Sequence, residues 1–298
     1  MPAITSSNVA LAIVKLVAAD ALPALVGNLI MGNLINRDYE PTLAQAGDTV
    51  NIPIAPNLVA NNLLEGGTIQ AQNPSLGNAQ IVLNTHAEST FVIPDVTRVI
   101  ALPDLLAIYM KSAVIALAER IETDILNLYP LFTYNTPVGA GNTPITEAVL
   151  DAAETALFTA KVPQGLQKVL VLSGTAYGAL RQTARFSEKQ TIDSGTGIST
   201  GVLGELKGMA IARSQYISKV STTTNNLLFA RDAIGMAMRK LPIPLPGTGA
   251  IAEFVEMGNF GMRVTMSYQP NTLSQQVTLD CLYGVNVLRN QFGELVLS

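Results

Sequence analysis

PDLLAIYMKSAVIALAERIETDILNLY, residues 103–129, runs to its end without a glycine or a second proline, and its apolar residues fall into one stripe. Pro103 stands where a first-turn proline belongs, since the N–H it lacks would have no helical partner, and Asp104 suits the positive N-terminal end. Leu106, Met110, Ala113, Leu117, Ile121, Ile125 and Leu128 recur at three- and four-residue spacing, which puts them on one face of a helix. At 1.5 Å per residue, a helix over 103–129 is roughly 39 Å long. An element of that length acts as a spine against which other parts pack.

Upstream, Gly47-Asp48 is a turn pair, and Thr49-Val50-Asn51-Ile52-Pro53-Ile54 alternates as a strand does, with Pro53 marking an edge. A return strand fits Gln80 to Asn84 and continues through Thr90 to Ile93. Between the two lie Asn61-Asn62, Glu65-Gly66-Gly67, Asn73-Pro74 and Gly77. These are about two dozen residues with little to pack on one another, an excursion that is uncommon in a compact domain unless it has a partner. Residues 1–46 read as an arm, with a short apolar helix around Val9 to Ala19 and breaks at Pro23 and Gly27.

Downstream, residues 138–255 alternate helix and strand. A helix is expected from Thr143-Pro144 to Lys161, a buried strand at Lys168–Leu172, and a helix capped by Ser173 and reaching Ala184. The loop around Asp193–Gly201 is too polar and glycine-rich to build a core. Strands follow at Met209–Arg213, Leu227–Ala230 and Ile234–Arg239. In residues 256–298, Met262, Val264, Met266 and Tyr268 alternate with polar residues, as do Val277, Leu279, Cys281, Tyr283, Val285 and Val287 beyond the Pro270-Asn271 turn. That is the pattern of a closing β-hairpin. The fold class is therefore α+β.

Asp, Glu, Lys and Arg make up only 13% of the 298 residues, while 48% are hydrophobic; a typical chain is about 25% charged. Such a surface belongs in a membrane or under partners. No run of about 20 apolar residues offers a membrane span, and the apolar N-terminal stretch lacks the basic start and cleavage site of a signal peptide. Burial between subunits remains, because interface cores are depleted of charge. The expected place of synthesis and assembly is the cytosol. The single cysteine excludes an intrachain disulfide and a multi-cysteine metal site, and the single histidine removes most zinc-ligand arrangements. A net charge of −4 without a basic run argues against tight nucleic-acid binding.

The order arm, hairpin excursion, spine helix, mixed domain and closing hairpin resembles the major capsid proteins of tailed phages, the Hong Kong 97-like fold. The resemblance rests on Arg37-Asp38-Tyr39 followed by Ala46-Gly47-Asp48-Thr49-Val50, on Phe229-Ala230-Arg231-Asp232-Ala233, and on Asp280-Cys281-Leu282-Tyr283-Gly284-Val285. It implies an N-terminal arm (1–46), an E-loop (47–93), a P-domain part with the spine helix (94–137), an A-domain (138–255) and a closing P-domain hairpin (256–298). It also implies pentamers and hexamers in an icosahedral shell around double-stranded DNA, with a portal protein, a separate scaffolding protein and, in some relatives, a decoration protein as partners. The E-loop would lie across a neighbouring subunit, residues 188–204 would touch adjacent subunits, and Gln269 to Gln275 would sit near threefold contacts. Some relatives weld their shells through an E-loop lysine, but no lysine occurs here between Lys15 and Lys111, so a noncovalent shell is expected. Because capsid-like features begin by Arg37, no processing of the chain is expected. The alternative is an encapsulin-type bacterial nanocompartment shell, which shares the fold and encloses enzymes.

No catalytic constellation, cofactor or metal is expected. Gly195–Gly201 fits neither GxGxxG nor a Walker motif, and Ser173 has no histidine near it for a triad. Cys281 reads as a small buried hydrophobe. Glu119, Glu122 and Asp124 read as solvated carboxylates pairing with Arg120 or another subunit. His86 beside Glu88 reads as an exposed histidine, with a pH-sensitive contact as the alternative. Arg263 and Asp280 share one polar phase, and their pairing within or between subunits stays open. The candidate intersubunit contacts are thus Arg37, Asp48, Glu65, His86, Glu88, Glu119, Arg120, Glu122, Arg263 and Asp280.

Overall fold

The computed structural model describes residues 29–39, 49–54, 58–63, 65–96, 105–182, 204–245, 248–257 and 260–298. The arm helix at 9–19, the turn at Gly47-Asp48, the helix start at Pro103-Asp104 and the loop at 193–201 lie outside these residues.

The spine helix α1 is described over Leu105–Leu126, about 33 Å at 1.5 Å per residue. It stops earlier than the periodicity suggests because Pro130 lacks the N–H that would continue the ladder. The bonds tighten instead, from Leu128 to Ile125 and from Leu131 to Leu128, into a 3₁₀ turn at Tyr129–Leu131. The expected stripe is buried from Met110 to Ile125, and Val114, Ala118, Glu122 and Leu126 widen it.

Two sheets flank this helix. The first is five-stranded, formed by β3 (Thr85–Pro94), β10 (Ile234–Arg239), β11 (Ala250–Met257), β12 (Phe260–Gln269) and β13 (Ser274–Val287). The closing hairpin is its centre: β12 and β13 pair from Arg263↔Asp280 to Gln269↔Ser274. β13 also pairs with β3 over ten residues, from Ser274↔Pro94 to Tyr283↔Thr85. Met262, Val264, Val277, Leu279, Cys281 and Tyr283 are buried in one core with the helix stripe. Pairing crosses the expected boundary at 255/256, since β11 spans it and pairs with β12 from Ala250↔Ser267 to Met257↔Phe260.

The second sheet has seven strands. Its order is β4 (Val138–Gly139), β14 (Gly293–Leu297), β9 (Thr223–Ala230), β5 (Lys168–Leu172), β7 (Met209–Arg213) and β6 (Glu205–Leu206), with β8 (Lys219–Val220) paired to β9. Strands β5, β7 and β10 have the bounds that their apolar runs predict. All five residues of β5 are buried, as expected of a strand covered on both faces. Helix α2 (Glu147–Thr159) begins later than Thr143-Pro144, because the Thr143 hydroxyl closes a turn onto the Ala140 carbonyl. Helix α3 (Gly174–Gln182) is capped by Ser173, whose Oγ accepts the Ala176 N–H at 3.3 Å. β14 has no counterpart in the pattern reading, which ends at Val287.

The return strand of the excursion divides in two. β2 (Gly77–Val82) pairs with β1 (Thr49–Ile54) from Ile54↔Gly77 to Thr49↔Val82, whereas β3 joins the five-stranded sheet. The switch is tight: a Cβ on Gly284 would collide with the Val82 carbonyl. Val50, Ile52, Ala79, Ile81 and Leu83 root the hairpin on Ala237 and Leu288.

The strap at 29–39 packs on α1 and ties into β10 of the five-stranded sheet. Leu29, Met31 and Ile35 are buried. Asn36 donates its N–H to the Ile234 carbonyl and accepts from Met236, each at 3.0 Å, and its Nδ2 reaches Asp232 Oδ1 at 2.8 Å.

Candidate functional site

Beyond the β1–β2 ladder, residues 58–63 and 65–76 have no regular structure. Leu58, Val59, Leu63, Ile69 and Leu76 are each at least 60% exposed. Among the described residues the two limbs are held by a side chain acting as a strand: Gln72 accepts the Val59 N–H at 3.0 Å and donates to the Val59 carbonyl. Glu65, the excursion's single charge, is exposed beside Gly66, whose φ of +79° makes the turn. An exposed apolar limb on a rigid two-stranded root can cover another surface; it cannot cover itself.

The remaining candidates divide by burial. Arg263 and Asp280 face each other across β12 and β13 in one chain. Arg263 donates Nε to Asp280 Oδ1 at 3.0 Å and Nη2 to Oδ2, and His86 Nε2 lies 2.8 Å from the same Oδ2. Asp280 is 2% exposed, so this triad is a buried charge held by two partners. Glu88 stands directly opposite Asp280, a like-charge position that the Arg263 guanidinium offsets. His86 is therefore half-exposed on a sheet strand, outside the excursion.

Arg37 is buried with its guanidinium over the Phe260 ring, 3.7 Å from the centroid. On α1, Arg120 pairs with Asp124 at 3.1 Å, as expected. Asp124 also accepts the Tyr283 hydroxyl at 2.7 Å, and Glu119 accepts that of Tyr216 at 2.8 Å. Glu122 corrects the reading of a solvated carboxylate. It is 1% exposed and accepts the Met31 N–H at 2.6 Å. Burial pushes its acid up to about 7, opposed by the backbone N–H groups of Met31, Ile30 and Gly32. Its phase carries the signal: Glu122 follows Ala118 by four and Ile121 by one, inside the apolar stripe. Asp48 lies outside the described residues.

Glu294, Asn226 and Lys168 are buried polar residues whose roles periodicity does not signal. Glu294 in β14 is pushed up to about 7 by burial, with the Asn135 amide opposing. Asn226 in β9 accepts the Ser173 N–H at 2.9 Å and donates to the Val296 carbonyl at 3.0 Å, stitching α3 to β14. Lys168 in β5 reaches Glu154 of α2 at 3.2 Å. Cys281 is buried as expected, its thiol pushed up to about 12 by burial first and by Asp280 second. Among the described residues, no helix is long and apolar enough to cross a membrane.

No family model and no curated protein matches the chain. Solved structures do. A protein of Mycobacterium phage Che8 superposes with a TM-score of 0.67 at 18% identity, covering 90% of each chain. The capsid of cyanophage P-SCSP1u follows with a TM-score of 0.60 at 16% identity, covering 90% of this chain and 87% of that one. The capsid of Ralstonia phage GP4 gives 0.57 at 13% identity, covering 89% and 87%. A virus-like particle from Pyrococcus furiosus gives 0.50 at 12% identity, covering 92% and 96%. The chain has the Hong Kong 97-like fold of these phage capsid subunits.

Proposed function

We propose that the chain is the major capsid protein of a tailed phage, a shell subunit that assembles with copies of itself around double-stranded DNA. The observation that carries this reading is the excursion at 58–76, five large apolar side chains exposed on a fold shared with phage capsids. Burying each of them contributes about 1.5–3 kcal/mol, enough to drive association when multiplied around a closed shell. In this reading β1, β2 and the excursion are the E-loop lying across a neighbour, α1 and the five-stranded sheet the P-domain, and the seven-stranded sheet the A-domain. Glu65, Glu88, Glu119, Arg120 and the open side of His86 are the polar contacts between subunits. Arg37, Glu122, Arg263 and Asp280 hold the subunit's own parts together, so the contacts number fewer than the sequence suggests. A portal, a scaffold and a decoration protein are the partners that such a shell takes.

The test is assembly. The purified full chain, with and without a candidate scaffold, is viewed by negative-stain microscopy, and closed shells are expected. A monomer under every condition overturns the reading. A nanocompartment shell would instead co-purify with an enzyme and exclude DNA.

A further inference from the structure

The strap and the spine helix meet at one ionisable group. Residues 29–36 carry no charged side chain. Glu122 reaches them from the middle of α1 and takes the first N–H of the 3₁₀ turn Met31–Asn33. Its Oε1 is engaged there, while Oε2 is buried with no hydrogen-bond partner among the described residues. A carboxyl in this position satisfies the turn in either protonation state, but its buried charge finds no cation among the described residues. Arg37, the nearest strap cation in sequence, lies over Phe260. On its own helix, Glu119 is bonded to Tyr216 and Asp124 to Arg120 and Tyr283. From the segment after β7, Tyr216 is itself pushed up, by burial first and then by the hydrogen bond to Glu119. That tyrosine and Arg213 line a cavity of about 430 Å³ beside Ile30, Ile115 and Ala118.

We propose that Glu122 is a proton-dependent latch: protonated, it holds residues 29–36 on the spine helix, and ionised, it releases them. The direction follows from linkage. Seated, the acid titrates near about 7 against 4.5 in water, so lifting the strap sheds a proton between these values. The equilibrium for lifting therefore rises by up to tenfold per pH unit across that range and levels off above it. The latch thus sets how firmly residues 29–36 are held on the spine helix. The proposal stands whether or not the chain forms shells.

Hydrogen exchange read by mass spectrometry on the full chain tests it, following peptides that cover 29–36 from pH 5 to 8.5 after correction for intrinsic exchange. Val277–Leu279 in β13 serves as the reference. Strap protection in the wild type is expected to fall at least tenfold relative to the reference as pH rises. In E122Q it is expected to stay flat at the wild type's acid level. E122L removes the acid while keeping an apolar side chain there, and is expected to be flat as well. A flat wild-type profile, a strap that tightens with pH, or a variant as steep as the wild type overturns the latch.

Discussion

Asp280 shows how a buried charge is made tolerable. Its carboxylate takes two bonds from Arg263 and a third contact from His86, in a sheet whose opposite face is core. Removing it leaves the Arg263 guanidinium without its carboxylate, and breaking a buried pair costs about 3–5 kcal/mol. D280A is expected to lose that much stability in denaturant unfolding, whereas H86A loses under 1 kcal/mol, because His86 is half-exposed and Arg263 remains. Gly284 is a steric counterpart: an added methyl meets the Val82 carbonyl. G284A is expected to cost about 1–3 kcal/mol in the same measurement. Glu294 has the opposite electrostatics from Asp280, being buried with only an amide beside it. Its folded value near 7 exceeds the unfolded 4.5, so the folded state binds the proton more tightly. The stability it contributes is present below pH 4.5 and is lost as pH rises through about 7. E294Q is expected to gain on the wild type between pH 5 and 8 by on the order of 1 kcal/mol, read from paired denaturant curves. An unchanged difference between the two proteins refutes this.

Among the elements, those whose side chains repeat with one period and one environment were legible. The stripe of α1, the apolar run of β5 and the alternation of β12 and β13 each state period and burial together. The return strand was legible as β but not as two strands, because the switch at Leu83-Asn84 depends on which sheet lies nearby, and that is a tertiary fact. β14 was missed because Glu294 interrupts a run of only five residues. At Glu122 residue type and phase conflict: a carboxylate points to solvent, whereas its place in the apolar stripe puts it in the core. The excursion was legible for what it lacks, and it gives the prediction that belongs at this scale. Replacing 58–76 by a short turn between β1 and β2 is expected to leave the melting of the subunit within a few degrees, since the described side chains there are exposed. Shells are expected to vanish from sedimentation and microscopy. Shells of normal size from the shortened chain would remove the excursion from the assembly reading.

At the scale of the whole molecule, the chain is held together by pairings distant in sequence. β3 meets β13 across nearly two hundred residues, and the strap meets β10 across a similar span. Such a topology folds slowly, because loop closure must precede the contacts that reward it. The few charges of the composition include internal pairs such as Arg263–Asp280, and in the proposed assembly the apolar surface they leave is what neighbours cover. With no lysine between Lys15 and Lys111, the particles are expected to run as a single band of subunit size in denaturing gels. A ladder of resistant oligomers would show covalent linkage.

β14 lies between β4 and β9 in the seven-stranded sheet, although it is made after every other strand. While the ribosome is still reading, β9 carries Leu227, Leu228 and Phe229 beside a vacant edge, and β4 has no strand partner among the described residues. A chain broken off before residue 293 keeps that edge, the kind that aggregates or is degraded. Placing the latest-made of the described strands one in from the sheet's edge means that only a chain translated through β14 can complete that sheet.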